Sequence, residues 1–370
     1  MNVAMEESVH RFTYASHTQR VVFASGALLT AEAEAGTLGS KRALVICMPE
    51  QRDLGERVAD LLRERTAGVH DGAIAHVPSD AARTAGRIAS ELGADCLVAA
   101  GGGSAIGLAK AVALKTGLPI LAIPTTYAGS EMTPIYGLTD NGEKKTGKDW
   151  SVLPRTVIYD PDLTRSLPAA VAGASALNAM AHAAEALYAP DANPISSLMA
   201  EEGIRALGRA LPHVGTANEE KQRGARAGAL YGAWLCGTVL GQVGMGLHHK
   251  VCHTLGGTFN LPHAETHAVI LPHALAYNAL AAQDAMRRIA TALNAQSAPA
   301  GVWQLARAVG APSSLRDIGM QGRDLDRACD LVMLGQYPNP RALERITIRQ
   351  LLQGAYEGVL DEHHKGSLRW

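Results

Sequence analysis

Residues 247–273, LHHKVCHTLGGTFNLPHAETHAVILPH, hold six of the chain's fourteen histidines. His249 and His253 are four apart. On an α-helix that spacing puts two imidazoles side by side on one face, as a metal site or an acid/base pair needs. Gly256 and Gly257 interrupt the regular pattern and Pro262 turns the chain, so His263 brings a third imidazole back. Residues 175–188, SALNAMAHAAEALY, add Asn178 and His182 at the same i,i+4 spacing. An amide oxygen and three imidazoles (Asn178, His182, His249, His263) make four convergent ligands, a count that suits a divalent cation. None of the four is anionic. Such a set holds a dication more weakly than one containing a carboxylate, because it lacks a charge–charge attraction. The residues therefore sketch a metal site and weaken it at one position. Scattered surface or core histidines are the bland alternative, and the apolar flanks and Gly/Pro punctuation weigh against it.

A second stretch suggests a different ligand. The apolar run CLVAA at 96–100 leads into Gly101, Gly102, Gly103 and Ser104, followed by a helical pattern carrying Lys110. A glycine-rich turn between strand and helix lets backbone N–H groups approach a phosphate, and the helix N-terminus adds about half a positive charge. Ser104 is placed to cap the helix or donate its hydroxyl. Three glycines alone read more simply as a structural turn. The next strand, however, ends in Pro124, Thr125, Thr126, Tyr127, Ala128, Gly129, Ser130 and Glu131, a second small, hydroxyl-rich loop. Ligands of doubly wound sheets bind at the carboxyl ends of the strands, and two such loops in succession point to a dinucleotide.

The elements that must carry these groups fall into two halves. Strands are expected at 20–23, 42–47, 73–77, 96–100, 120–123 and 156–159. They alternate with helices at 52–65, from a Ser79 or Asp80 cap to 92, and at 104–116, which predicts a parallel sheet with helices on both faces. Residues 141–149 read as an exposed hairpin with solvated lysines. Beyond Pro161 the β pattern gives way to Ala-rich helical segments at about 171–188, 194–211, 219–243, 247–258, 265–280, 283–295, 300–309, 323–335 and 346–358, punctuated by prolines that include Pro272. The expected fold class is α/β plus all-α: a Rossmann-like nucleotide domain over 1–162 and an all-helical domain over 163–370. Phosphate-like loops and imidazoles then belong to different domains, and chemistry is expected in the cleft between them. The tail from 361 reads as frayed, and His363 and His364 receive no role.

Composition is that of a globular, core-forming chain. The chain has 370 residues, 47% hydrophobic and 19% charged, with a formal net charge of −1. Nothing there suggests nucleic acid or an anionic membrane as a partner. The opening residues lack the apolar core of a signal peptide, and no apolar run is long enough to span a bilayer. Five scattered cysteines form neither a disulfide framework nor a CxxC metal site, so the expected compartment is a reducing cytoplasm. Cys252 reads as a buried thiol or a modifiable one near the site.

Taken in order, GGGS at 101–104, PTT…GSE at 124–131, Asp160-Pro161, HAAE at 182–185 and the His249…His253…Pro262-His263 stretch resemble the iron-containing (group III) alcohol dehydrogenase superfamily. The resemblance runs from about 20 to 358. It implies that the phosphates of NADH or NADPH sit on Gly101, Gly102, Gly103 and Ser104, with Thr125, Thr126 and Ser130 nearby. It also implies a homodimer, and that Asn178, His182, His249 and His263 occupy the positions of an Fe or Zn site. The fourth ligand of that family is ordinarily Asp, so the site here reads as weak or vestigial, or as one holding no metal. The GGGSxxD pattern likewise lacks its Asp, with Gly107 in its place. These departures, with LPRTVIYDP and QYPNPR, look like the maleylacetate reductase branch, which reduces the C=C bond of a small dicarboxylate, maleylacetate, to 3-oxoadipate during bacterial breakdown of aromatic compounds. For that chemistry His253 is the candidate acid, with His249, His182 and His263 as further donors or ligands. Tyr127, His248 and Lys250 are the candidates to meet the substrate carboxylates. The competing readings are a metal-dependent alcohol dehydrogenase of the same superfamily acting on a small alcohol or aldehyde, and a dehydroquinate-synthase-like lyase.

Overall fold

The computed structural model describes residues 12–140 and 143–361, so His363 and His364 lie outside the described residues. Two compact units emerge. One spans Ser16–Ser166, and the other runs from Leu167 onward and includes residues 12–15.

The first unit is built on a six-stranded sheet. In chain order its elements are β1 (Arg20–Phe23), α1 (Ala31–Thr37), β2 (Ala43–Ile46), α2 (Arg52–Leu62), β3 (Thr66–His70), α3 (Ser79–Glu91), β4 (Cys96–Gly101), α4 (Gly103–Thr116), β5 (Ile120–Pro124), β6 (Ile135–Asp140), β7 (Glu143–Lys148) and β8 (Thr156–Tyr159). The sheet order is β1-β8-β5-β4-β2-β3, with β6 and β7 forming a separate antiparallel hairpin. Every pairing in the large sheet is parallel. β2, β4, β5 and β8 are buried along their whole length, whereas the edge strands β1 and β3 are not. This is why the inner strands read as continuous apolar runs: a parallel sheet is covered on both faces.

One expected strand is absent. Residues 73–77 form a turn, and the strand lies earlier, at Thr66–His70. Ala73 and Val77 are buried while the three residues between them are exposed, so the apolar ends imitate a strand pattern. His76 and Val77 both take positive φ, 64° and 47°, and Val77 packs over α4. A Cβ on Gly107 would stand 2.8 Å from the Val77 side chain, which accounts for glycine at that position. The helix after this turn starts at Ser79 itself with Pro78 at its N-cap, so neither Ser79 nor Asp80 caps it.

Lys110 fastens the second hydroxyl-rich loop to α4. It is fully buried, and its ammonium donates to the carbonyls of Ser130, Thr133 and Ile135 at 2.6, 2.7 and 2.8 Å and to Thr133 Oγ1 at 3.1 Å. Burial pulls its pKa down to about 7, opposed by the charge of Glu131. Glu131, also buried, accepts from the Tyr159 hydroxyl at 2.7 Å. Lys110→Met leaves those carbonyls buried and unpaired. It is expected to cost about 3 kcal/mol, read as a lowered urea midpoint for the sheet unit.

The second unit is helical: α5 (Ala169–Ala186), α6 (Pro194–Ala210), α7 (Glu219–Gln242), α8 (Leu247–Phe259), α9 (His263–Asn278), α10 (Gln283–Leu293), α11 (Ala298–Ala308), α12 (Leu325–Met333) and α13 (Arg345–Glu357). α6 begins at a reciprocal Asn193/Ser196 capping box with Pro194 at its first turn, as the sequence pattern demands. Pro272 does not end a helix. It lies inside α9, whose residues 266–278 are all buried, so packing retains a helix that loses one hydrogen bond there. None of the described helices is long and apolar enough to cross a membrane.

Candidate active site

In the sheet unit the two loops expected to hold a dinucleotide meet. α4 starts with Gly102 at its N-cap, with no side chain capping it and no acidic residue in its first turn. Ser104 lies inside that turn, so it does not cap the helix. A Cβ on Gly101 would come within 2.6 Å of Gln51 Oε1, and one on Gly102 within 3.0 Å of Thr126. Gln51 in turn donates to Thr125 Oγ1 at 3.0 Å. The glycines therefore serve close packing against the 125–130 loop and leave the first N–H groups of α4 open to an anion. This cradle fits the phosphates of a dinucleotide. Tyr127 is fully buried, with its hydroxyl 3.4 Å from Thr164 Oγ1.

In the helical unit α5 supplies Asn178, His182 and Glu185 from one face. The helix is buried from Ala172 to Ala186, and its alanines permit the close approach of neighbours. Glu185 is the anchor. Its carboxylate accepts from the backbone N–H groups of Gly246 at 2.9 Å, His248 at 2.8 Å and His249 at 3.4 Å, and from His249 Nδ1 at 2.7 Å. It thus caps α8 from another helix and meets the positive end of that helix's dipole. Gly246 is needed for the approach: a Cβ there would lie 3.1 Å from Glu185 Oε1 and 2.9 Å from the Pro338 carbonyl.

This contact sets the chemistry of His249. A carboxylate oxygen only accepts, so His249 Nδ1 carries a proton toward Glu185, and Nε2 is the nitrogen left for the site. Around it stand five more imidazoles. Ring centroids lie at 5.2 Å from His249 for His182 and His248, 5.9 Å for His253 and 5.1 Å for His267, and His263 lies 4.5 Å from His267. His253 and His263 are exposed; His182, His248 and His267 are buried. Burial first, and the neighbouring imidazoles second, hold all three buried rings well below the usual histidine range. They are neutral at neutral pH.

Several of these groups await a partner. Asn178 Oδ1, His182 Nδ1, His249 Nε2 and His267 Nε2 are buried without a hydrogen bond. Buried polar atoms of this kind mark a place for a polar ligand. A tight dication is not what the arrangement fits. Among the described residues, the one group of three or more His, Cys, Asp or Glu side chains with ligand atoms all within 4.8 Å of one another is His248, Cys252 and His267. His182, His249 and His263 are not gathered to that extent, since His263 starts α9 and is exposed, and Asn178 contributes no charge. His267 and the anchoring role of Glu185 were not legible in the spacing. The only hint of His267 was its place four residues after His263.

With this geometry in view, the comparisons with known proteins can be read. Residues 18–161 match the family description "Iron-containing alcohol dehydrogenase", and residues 172–356 match "Fe-containing alcohol dehydrogenase family, C-terminal". The chain belongs to the iron-containing alcohol dehydrogenase family. Within it, the maleylacetate reductase of Burkholderia cepacia is 59% identical over 95% of this chain and 99% of its own length. The crystal structure of maleylacetate reductase from Agrobacterium tumefaciens is 50% identical, with a TM-score of 0.91 over 94% of this chain and 99% of that one. That of the Rhizobium sp. strain MTP-10005 maleylacetate reductase gives 49% and 0.90 over the same shares. A 1,3-propanediol oxidoreductase structure reaches only 26% identity, with a TM-score of 0.86 over 94% of this chain and all of that one.

Two outcomes follow. Glu185→Gln turns an amide N–H₂ toward backbone N–H groups, so it should cost about 3 kcal/mol, measured as a lower urea midpoint, while the exposed change Glu357→Gln should cost nothing measurable. Protonation of His182, His248 and His267 supplies the second. The unfolded chain takes up these protons near pH 6.5, and the folded chain resists them. The stability of chelator-treated protein should therefore be full above pH 6.5 and fall as pH drops below it, seen as a Tm that declines from pH 7.5 to about 5.5.

Proposed function

We propose that this enzyme reduces the C=C bond of maleylacetate to 3-oxoadipate with NADH or NADPH, without a step through a metal. The observation that carries the reading is the imidazole cluster itself, with His182, His248 and His267 buried and neutral and no carboxylate among the candidate ligands, in a chain whose relatives at 49–59% identity are maleylacetate reductases. The reduced dinucleotide, when bound, would supply hydride for the alkene carbon β to the ketone. Gly101, Gly102, Gly103 and Ser104 would hold the phosphates of that dinucleotide, with Thr125, Thr126 and Ser130 lining the adjacent loop.

The protein's task is then to stabilise an enolate and protonate it. As charge develops on the ketone oxygen, N–H donors of neutral imidazoles stabilise it at little reorganisation cost, because they are fixed and buried. His182 and His267 have the buried nitrogens suited to this. His253, exposed on α8 one turn after His249, delivers the proton to the α-carbon. His249 Nε2, left for the site because Glu185 holds the other nitrogen, accepts from a neighbouring N–H or from bound water and so orders the cluster. Lys250 lies three residues before His253 on the same helix, hence on nearly the same face, and is partly exposed. It is the cation we assign to a substrate carboxylate. A homodimer in the cytoplasm completes the proposal.

The enolate needs less stabilisation than the alkoxide chemistry of alcohol oxidation, so a neutral donor set suffices. Chelator-treated enzyme with NADH and maleylacetate should oxidise the nicotinamide rapidly, read as loss of its absorbance band. Activity that vanishes on chelation and returns with zinc or ferrous iron would overturn the metal-free step. His253→Asn should lower kcat by about a hundredfold or more while leaving KM for NADH and the Tm near wild type. Lys250→Met should instead act mainly on KM for maleylacetate, raising it about tenfold.

A further inference from the structure

One group of ligating side chains in the helical unit takes no part in the chemistry above as an ensemble. His248 and Cys252 lie four apart on α8, and His267 faces them from α9. His248 Nε2 is 2.9 Å from His267 Nδ1, and Cys252 Sγ is 3.6 Å from His248 Nε2. All three ligand atoms fall within 4.8 Å of one another, and the residues are at most 1% exposed. We propose that His248, Cys252 and His267 form a cation site, distinct from the Asn178, His182, His249 and His263 set, that takes a borderline-soft divalent ion such as Zn²⁺ or Co²⁺.

The distances suit such an ion. With metal–nitrogen and metal–sulfur bonds of about 2.0 and 2.3 Å, a tetrahedral edge is about 3.6 Å between N and S and about 3.3 Å between two nitrogens. The N–S edge is already present, and the imidazole pair must open by about 0.4 Å, a small ring rotation. The proton balance is simple. Cys252 loses its thiol proton to solvent as the sulfur–metal bond forms. The proton shared between the imidazoles stays on the pair, since each ring can carry its single proton on the outer nitrogen, His248 Nδ1 or His267 Nε2. Both outer nitrogens are now buried without partners. The dication and thiolate leave one net positive charge. The Glu185 carboxylate, bonded to the His248 backbone N–H at 2.8 Å, balances it. Exposed His263 lies next to the site, its ring centroid 4.5 Å from that of His267 and tilted to it. Thiolate and imidazole ligands also select this class of ion over Mg²⁺ or Ca²⁺.

Sulfur separates this site from the other by spectroscopy. The Asn/His set holds no sulfur, so cobalt bound there gives no thiolate-to-metal charge-transfer band. Full-length protein, stripped with chelator and titrated with Co²⁺ alone, should develop that near-ultraviolet band and saturate near one ion per chain. Cys252→Ser should abolish it at unchanged far-ultraviolet circular dichroism, and His267→Asn should weaken or abolish it. His182→Asn should leave it intact. No band at excess cobalt, a band that survives Cys252→Ser, or one lost in His182→Asn would each overturn the proposal.

Discussion

A single buried carboxylate holds the helical unit's site together. Glu185 takes three backbone N–H groups and one imidazole, so both of its oxygens are fully engaged. A buried carboxylate is tolerable only with such compensation. In return it fixes three things at once. It positions the start of α8, it orients His249, and it decides which ring nitrogen of His249 is left to face the site. The register of His248, His249, Cys252 and His253 follows, because they are the first two turns of that helix. The small residues around the contact are part of the same constraint: the alanines of α5 and Gly246 let the carboxylate reach the helix end.

Energetics explain why His182, His248 and His267 are neutral. Six imidazoles within a few ångströms cannot all be charged, and four of them, His182, His248, His249 and His267, are buried. On His182, His248 and His267 an added proton would meet both desolvation and like-charge repulsion, and burial is the larger cause for all three. The result is a fixed array of hydrogen-bond donors and acceptors with little net charge. Such an array is well matched to an anionic substrate that acquires further charge during reaction, since it stabilises that charge without titrating. At the Asn178, His182, His249 and His263 set, Asn178 contributes no charge, so a dication there lacks the charge–charge attraction a carboxylate would add.

Much of the fold was legible because its periodicities are strong. The fully buried strands β2, β4, β5 and β8 read as apolar runs, and every helix from α5 to α13 was expected within about three residues. The errors have local causes. Ala73 and Val77 are buried, which mimics a strand, but His76 and Val77 adopt positive φ and the segment turns over Gly107. Pro272, by contrast, stands inside a helix that was expected to run through it, and burial of α9 retains that helix. In the site, i,i+4 spacing identified His182, His249 and His253. It could not show that the hydroxyl of Tyr127 turns inward, nor that Glu185 crosses to cap a helix sixty-one residues away. Those are tertiary facts with no local signal.

The same limit bears on what a ligand motif can mean. A pattern of Asn178, His182, His249 and His263 describes which side chains share a neighbourhood, whereas coordination depends on where individual atoms point. Glu185 turns His249 by the Nδ1 of that ring, and His248 Nε2 meets His267 Nδ1. Three imidazoles of the cluster are therefore committed through one nitrogen each before any ligand arrives. What remains for a ligand is set by those commitments: Nε2 of His249, the outer nitrogens of His248 and His267, and the Asn178 amide. With an uncharged amide at Asn178 and these hydrogen bonds, the helical unit presents a set of donors and acceptors whose buried rings His182, His248 and His267 are neutral. The chemistry such a set favours is proton placement on a conjugated anion.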